Sequence, residues 1–161
     1  MSAPAKGFPA TEHDHQVCVD TALKRAEAIC LEQGKNFTAQ RRRVLELVWA
    51  AHRPVGAYDI LEAMSVDGKR YAPPTVYRAL DFLIEAGLVH RLDSLNAYIG
   101  CTDPRHAHTG QFLICTRCSS VLEIDDGSIE RSIRNRTNQL GFVATSVGLE
   151  VQGVCRACRK D

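Results

Sequence analysis

Two Cys-x-x-Cys pairs, Cys115-Thr-Arg-Cys118 and Cys155-Arg-Ala-Cys158, stand near the end of the chain. Two residues between cysteines allow a tight knuckle that aims both sulfurs at one ion. Four thiolates so arranged make a closed tetrahedral zinc site. Here 36 residues separate the pairs, more than the roughly 15–20 of a simple zinc ribbon. The intervening segment must therefore fold by itself and bring the second pair back to the first. A pair of redox dithiols would instead need a thioredoxin-like βαβ context, which the pattern lacks.

A looser set of ligand types lies upstream and between: His90, Cys101, His106, His108 and Glu123. If Asp93 and Asn96 close a hairpin, His90 faces Ile99 and Leu88 faces Cys101. His90 and Cys101 then share one face on a diagonal, about 7–8 Å apart at the backbone, a span that one metal bridges. His108 and Glu123 could complete a four-ligand set joining two parts of the chain. Spacing alone favours the plainer reading: a half-buried apolar cysteine, solvated histidines and a strand-surface glutamate.

The composition limits what surrounds these groups. With 161 residues, 45% hydrophobic and 24% charged, the chain reads as an ordinary globular protein of one large domain or two small ones. A net charge of +1 confines any nucleic-acid face to a local patch. The first residues show no signal-peptide pattern, and no segment approaches the roughly 18–20 apolar residues of a membrane span. The expected setting is a reducing cytoplasm, where paired cysteines hold metal rather than disulfides.

The elements that position the ligands follow from periodicity and punctuation. Residues 1–16 read as a flexible tail carrying His13 and His15. Val17 to Glu32 is amphipathic, with Val17, Leu23, Ala26, Ile29 and Cys30 inward; Cys18 and Cys30 read as helix residues, not ligands. Thr38 caps a helix over 39–51 that turns Val44, Leu45, Val48 and Trp49 inward. A third helix covers 57–66, with Ile60, Leu61 and Met64, and Gly68 closes it. Pro73-Pro74 start a fourth, through Ala86, burying Val76, Leu80, Leu83 and Ile84 before Gly87. Leu88–Leu92 and Ala97–Cys101 form the hairpin. Short helices followed by a hairpin make a winged helix-turn-helix, whose last helix enters the DNA major groove.

After a polar linker, 102–110, the pattern turns toward sheet. Strands are expected at 111–115, 121–124 and 142–151, and a helix at 128–140 with Ile129, Ile133 and Leu140 on its apolar face. The domain reading is a winged-helix domain over 17–101 and a dimerisation and zinc-binding domain over 111–161. The second is too small for a confident core, so a zinc staple and pairing with a second copy are the remedies. The fold class is α+β: an N-terminal winged helix-turn-helix plus a small C-terminal α/β dimerisation domain stapled by the four-cysteine zinc site.

Pro73-Pro-Thr-Val-Tyr-Arg-Ala-Leu-Asp-Phe-Leu83, Thr38-Ala-Gln-Arg41 and Gly56-Ala-Tyr-Asp-Ile-Leu61 resemble the ferric uptake regulator family. The order His90, Cys101, His108, Cys115, Cys118, Glu123 resembles most closely its zinc uptake regulator branch. That resemblance, over about residues 20–158, implies a homodimeric, metal-dependent repressor that binds double-stranded operator DNA. It implies a structural zinc on Cys115, Cys118, Cys155 and Cys158 and a regulatory zinc on His90, Cys101, His108 and Glu123, two Zn2+ per subunit. It places Tyr77 and Arg78 on the recognition helix and Tyr58 on the helix before it. Arg78 is expected to contact guanine, Thr75 and Tyr77 a phosphate or thymine methyl, and Arg41, beside Arg42 and Arg43, the DNA backbone. Two departures stand out. Serines follow Cys118 where the family commonly has glycine, and His106-Ala-His108 replaces the cluster of iron-sensing members, leaving His106 a competitor to His108.

The expected function is a zinc-responsive repressor of zinc uptake genes, with no membrane partner and no small organic substrate. An iron or peroxide sensor of the same family would need harder ligands where Cys101 stands. A zinc hydrolase or deaminase would need an open coordination position and a general base. That motif is absent and no catalytic residue is expected. A zinc-stapled interaction module leaves the recognition-helix match unexplained.

Overall fold

In the computed structural model the chain divides into two compact units, Thr11–His106 and Ala107–Asp161 with Met1–Ala10. The structure describes residues 8, 15–51, 53–65, 69–105 and 110–160. His13, Gly68, His106 and His108, all singled out above, lie outside the described residues.

The first unit contains α1 (His15–Glu32), α2 (Ala39–Ala50), α3 (Ala57–Met64), α4 (Pro73–Glu85), β1 (Val89–Leu92) and β2 (Ala97–Gly100). Local chemistry sets the boundaries. Thr38 accepts a hydrogen bond from the Arg41 amide at the start of α2, 3.4 Å, satisfying a donor that helix geometry leaves over. The Gly56 amide donates to the Asp59 carboxylate, 3.1 Å, before α3. Gly87 takes a left-handed φ of +74° after α4. The Leu88 amide then bonds the Leu83 carbonyl at 2.8 Å, which turns the chain into the wing. β1 and β2 pair antiparallel with His90 opposite Ile99 and Leu92 opposite Ala97. The Cys101 amide donates to the Leu88 carbonyl, 3.0 Å, one step further. This is the register expected from sequence. Val55 exchanges two hydrogen bonds with Tyr98, so the stretch before α3 becomes a short third member of the wing.

One cluster of buried side chains unites these elements, including Leu23, Ile29, Val44, Leu45, Val48, Ile60, Val76, Leu80, Leu83, Val89 and Tyr98. Two expectations fail at its margin. Val17 is 59% exposed and Ile84 37% exposed. Val17 sits in the first turn of α1, which begins at His15 inside the segment read as tail. On α4 the buried stripe is Val76, Ala79, Leu80, Leu83. Ile84 is one position past that stripe, about 100° further round the helix.

The second unit contains β3 (Gln111–Cys115), β4 (Val121–Ile124), α5 (Gly127–Gln139) and β5 (Leu149–Gly153), with sheet order β4-β3-β5. β3 and β4 are antiparallel across the first cysteine knuckle, and β3 and β5 are parallel with Cys115 opposite Gly153. A parallel neighbour needs a crossover, and α5 supplies it. Asp126 caps α5 by accepting from the Ser128 amide, 2.8 Å. Buried Gln111 ties the start of β3 to that cap: its Nε2 donates to the Asp126 carbonyl at 3.1 Å, and its Oε1 accepts from the Asp126 amide at 3.3 Å.

The expected strand over 142–151 is corrected here. Only Leu149–Gly153 pairs, while Phe142 and Val143 are 62% and 80% exposed. The chain leaves α5 through Gly141, in the left-handed region at φ +72°, and must travel back along the helix before it can run parallel to β3. The expected apolar face of α5 is also weaker than its sequence suggests. Leu140 is 69% exposed, and α5 contributes no buried residue.

Candidate metal centres and nucleic-acid face

β3 and β4 hold Cys115 and Cys118 in a knuckle. The Ser119 amide donates to the Cys115 carbonyl and the Cys115 amide to the Ser120 carbonyl, each 2.9 Å. β5 delivers Cys155 and Cys158 to the same place because it runs beside β3. The Thr116 amide donates to the Gly153 carbonyl at 2.8 Å, and Arg117 Nη1 to the Cys158 carbonyl at 2.6 Å. All four sulfurs lie within 4.8 Å of one another, and Cys118 Sγ is 3.8 Å from Cys155 Sγ. A tetrahedron with bonds of about 2.3 Å has edges of about 3.8 Å, so the set fits a zinc ion in size and in donor chemistry. Cys115 and Cys155 are buried and Cys118 is exposed.

The thiol protons are distributed unequally. The Cys155 amide, 3.4 Å from Cys115 Sγ, leads the hydrogen bonds that lower the Cys115 pKa to about 6. Cys118 is lowered by its hydrogen bond with Ser120, Sγ to Oγ 3.2 Å. Hydrogen bonding to Cys118 and Cys155 pushes Cys158 up to about 12. Hydrogen bonds that favour thiolate at Cys115 suit the cage to exchanging a proton for a cation there. By contrast, burial raises the thiol of Cys30, which sits in the apolar cluster of the first unit.

In the first unit, His90 and Cys101 come together as the hairpin register requires. Their ligand atoms lie within 4.8 Å, Cys101 is buried, and His90 Nε2 is out of reach of solvent. In the second unit Glu123 is half-buried on β4, opposite Phe112.

The polar face of the first unit carries the other candidate residues. Tyr58 on α3 is 68% exposed and Tyr77 on α4 is 38% exposed, so both rings are open to a partner. A cleft of about 430 Å³ is lined by Thr38, Gln40, Arg41, Thr75, Arg78 and Ala79, joining the first turns of α2 and α4. Arg78 Nε donates to the Pro74 carbonyl, 3.2 Å, which lays its side chain along the helix start. Arg41 stacks on the Phe82 ring, 3.6 Å to the centroid, and bonds the Asn36 carbonyl. Arg42 pairs with Glu27 and Arg43 with Glu46. The arginine triplet thus does three different things, and only Arg41 lines the cleft. Sequence reading missed Gln40 and Thr38 as cleft residues; their place in the first turn of α2, level with the start of α4, was the available signal.

A sequence profile of the ferric uptake regulator family matches residues 32–152. The chain belongs to that family. It is 36% identical over 137 residues to the zinc uptake regulation protein of Escherichia coli (strain K12), spanning 84% of this chain and 80% of that protein. A solved structure of a zinc uptake regulator complexed with zinc and DNA superposes with a TM-score of 0.84 at 35% identity, over 88% of this chain and 95% of that one. Holo XcZur gives 0.81 at 39% identity, over 88% and 99%. The α+β fold and the likeness to the zinc uptake regulator branch are thereby established.

The family frame also explains one departure. Ser119, directly after the first cysteine pair, has φ +59°. That is the left-handed region, where glycine costs nothing and a side chain is strained. The knuckle needs this turn, and here a serine supplies it. Among the described residues, no helix is long and apolar enough to cross a membrane.

Proposed function

We propose that this chain is a cytoplasmic, zinc-responsive transcriptional repressor that binds operator DNA as a zinc-loaded homodimer and controls zinc uptake genes. The observation that carries the reading is the convergence of His90 and Cys101 at the base of the wing, directly after the helix that bears Tyr77 and Arg78. Thiolate with imidazole selects zinc over manganese or ferrous iron. The Cys101 thiol therefore disfavours the iron- or peroxide-sensing alternative.

Two zinc ions per subunit are assigned. Cys115, Cys118, Cys155 and Cys158 hold the structural one. His90 and Cys101, completed by His108 and Glu123 in the branch's ligand order, hold the regulatory one. Zinc, when bound to the second set, supplies a closed four-coordinate crosslink with no position left for a reactive water. His90 and Cys101 anchor that crosslink to the wing, and His108 and Glu123 anchor it to the linker and sheet. Two recognition helices held this way reach major grooves about 34–36 Å apart. Arg78 reads guanine, Thr75 and Tyr77 meet phosphate or a thymine methyl, and Tyr58 meets phosphate. Arg41, held against Phe82, presents the α2 end of the cleft to the DNA backbone. No catalytic residue is assigned.

A second copy is supported by the exposed apolar side chains of the second unit, Leu140, Phe142, Val143, Val151 and Val154. Such a concentration marks an association surface, and β5 is an edge strand open to coverage.

The test is operator binding at buffered free zinc, using a duplex selected from a randomised pool, with metal content measured on the same sample. The expected result is tight binding that appears as the second zinc per subunit loads and disappears with chelator. A Cys101→Ser protein that keeps zinc-dependent binding would remove the regulatory assignment. Arg78→Ala should lose about 1–3 kcal/mol of discrimination at one base position while its salt dependence changes little.

A further inference from the structure

Between α1, α2 and the base of the wing lies a cavity of about 250 Å³. Ala22, Trp49 and Leu88 give it an apolar wall, and two thiols, Cys18 and Cys101, open onto it. Its size falls between the roughly 150 Å³ that holds a benzene ring and the roughly 300 Å³ where ordinary ligand pockets begin. One ring, or a branched chain of similar bulk, fills it; an extended lipid does not. A single charged side chain lines it, Arg25. Arg25 is exposed and makes no ion pair among the described residues. The complementary ligand therefore has an apolar body and one anionic end.

The geometry points to a binding site for a small, ring-sized apolar monocarboxylate, its body against Trp49 and Leu88 and its carboxylate at Arg25, coupled through Cys101 to zinc. The coupling rests on the assignment of Cys101 as a regulatory ligand; the binding site does not. Leu88 and Cys101 share one step of the wing's hydrogen-bond ladder, 3.0 Å from amide to carbonyl. Trp49 lies so close to Gly100 that a Cβ there would sit 2.4 Å from the indole. An occupant thus touches the residues that fix Cys101 in place. A ligand that shifts Cys101 changes zinc affinity by some factor, and zinc changes the ligand's affinity by the same factor.

Trp49 is the only tryptophan in the chain, so its fluorescence reports the cavity directly. Full-length protein would be titrated with benzoate, benzyl alcohol and benzylammonium. Saturable change with benzoate is expected, at a dissociation constant at least tenfold below that of benzylammonium. Arg25→Gln should erase that preference and leave benzyl alcohol unaffected. Ala22→Leu and, independently, Cys18→Phe should fill the space and abolish saturation. No saturable response to benzoate, or a response unchanged in both filled variants, overturns the site. Saturating benzoate should also move the second-site zinc midpoint at least threefold, and zinc should move the benzoate midpoint equally. An unmoved zinc midpoint overturns the coupling alone. His90→Gln separates the two ideas, because His90 does not line the cavity: it should still bind benzoate, and if it retained the second zinc, the ligand assignment would fail while the cavity stood.

Discussion

Between Val19 and Tyr98 a continuous cluster of buried side chains ties α1–α4 to the wing. In the second unit, the described buried apolar side chains are Phe112, Ile114, Val121 and Val147, joined by two of the cage cysteines, Cys115 and Cys155. One unit is held by a core in which helices interlock; the other places a cluster of four cysteines, fit to hold a metal ion, where a core would be. The difference follows from size. A segment this short cannot remove enough apolar surface from water, and a structural zinc contributes apparent binding energy of about 10–16 kcal/mol in small peptides. That exceeds the net stability of a typical domain, about 5–15 kcal/mol. The first unit should therefore tolerate metal loss, and the second should not.

The most severe test is Cys115→Ser. It should unfold residues 111–160, drop one zinc per subunit and abolish dimerisation, while amide exchange in α2 and α4 stays protected. Equal loss of protection in both units would erase the contrast. Next in size is Leu80→Ala, at a side chain with no exposure. It should cost the first unit about 2–5 kcal/mol in denaturant titration, with the cage zinc still bound. Gly100→Ala should follow at about 1–3 kcal/mol, because the added methyl meets the Trp49 indole; melting and Trp49 emission read it together. The smallest is Thr38→Ala, which removes the cap of α2 for about 0.5–2 kcal/mol. That substitution should lower the first unit's midpoint and leave chelator resistance of the cage unchanged.

Much of this contrast could be read in the sequence where the determinants are local. Thr38, Pro73 and Gly87 mark helix ends by chemistry confined to one turn, and α2 and α4 fall within a residue or two of expectation. The hairpin register followed from the Asp93–Asn96 turn, and with it the approach of His90 to Cys101. Spacing alone nominated the four cysteines. What escaped depends on partners distant in sequence. The parallel pairing of β5 with β3 cannot be inferred from 142–151, where hydrophobic residues suggested a longer strand than forms. Arg41 stacks on Phe82, a residue of a different helix, so no pattern within α2 revealed it. Ile84 differs from Leu83 only in its angle round α4, and that angle is fixed by α4's neighbours. Ser119 was visible as a departure, but the positive φ that explains it required the knuckle to be built.

One corner of the cysteine cage differs from its neighbours. Cys118 faces solvent while Cys115 and Cys155 are enclosed. Thermodynamics is shared by all four sulfurs, but kinetics is not: an incoming chelator or thiol-rich metal donor meets Cys118 first. In the proposed zinc site, exchange of the ion should proceed by stepwise handover from that corner, so one surface sulfur would set how long the metal stays.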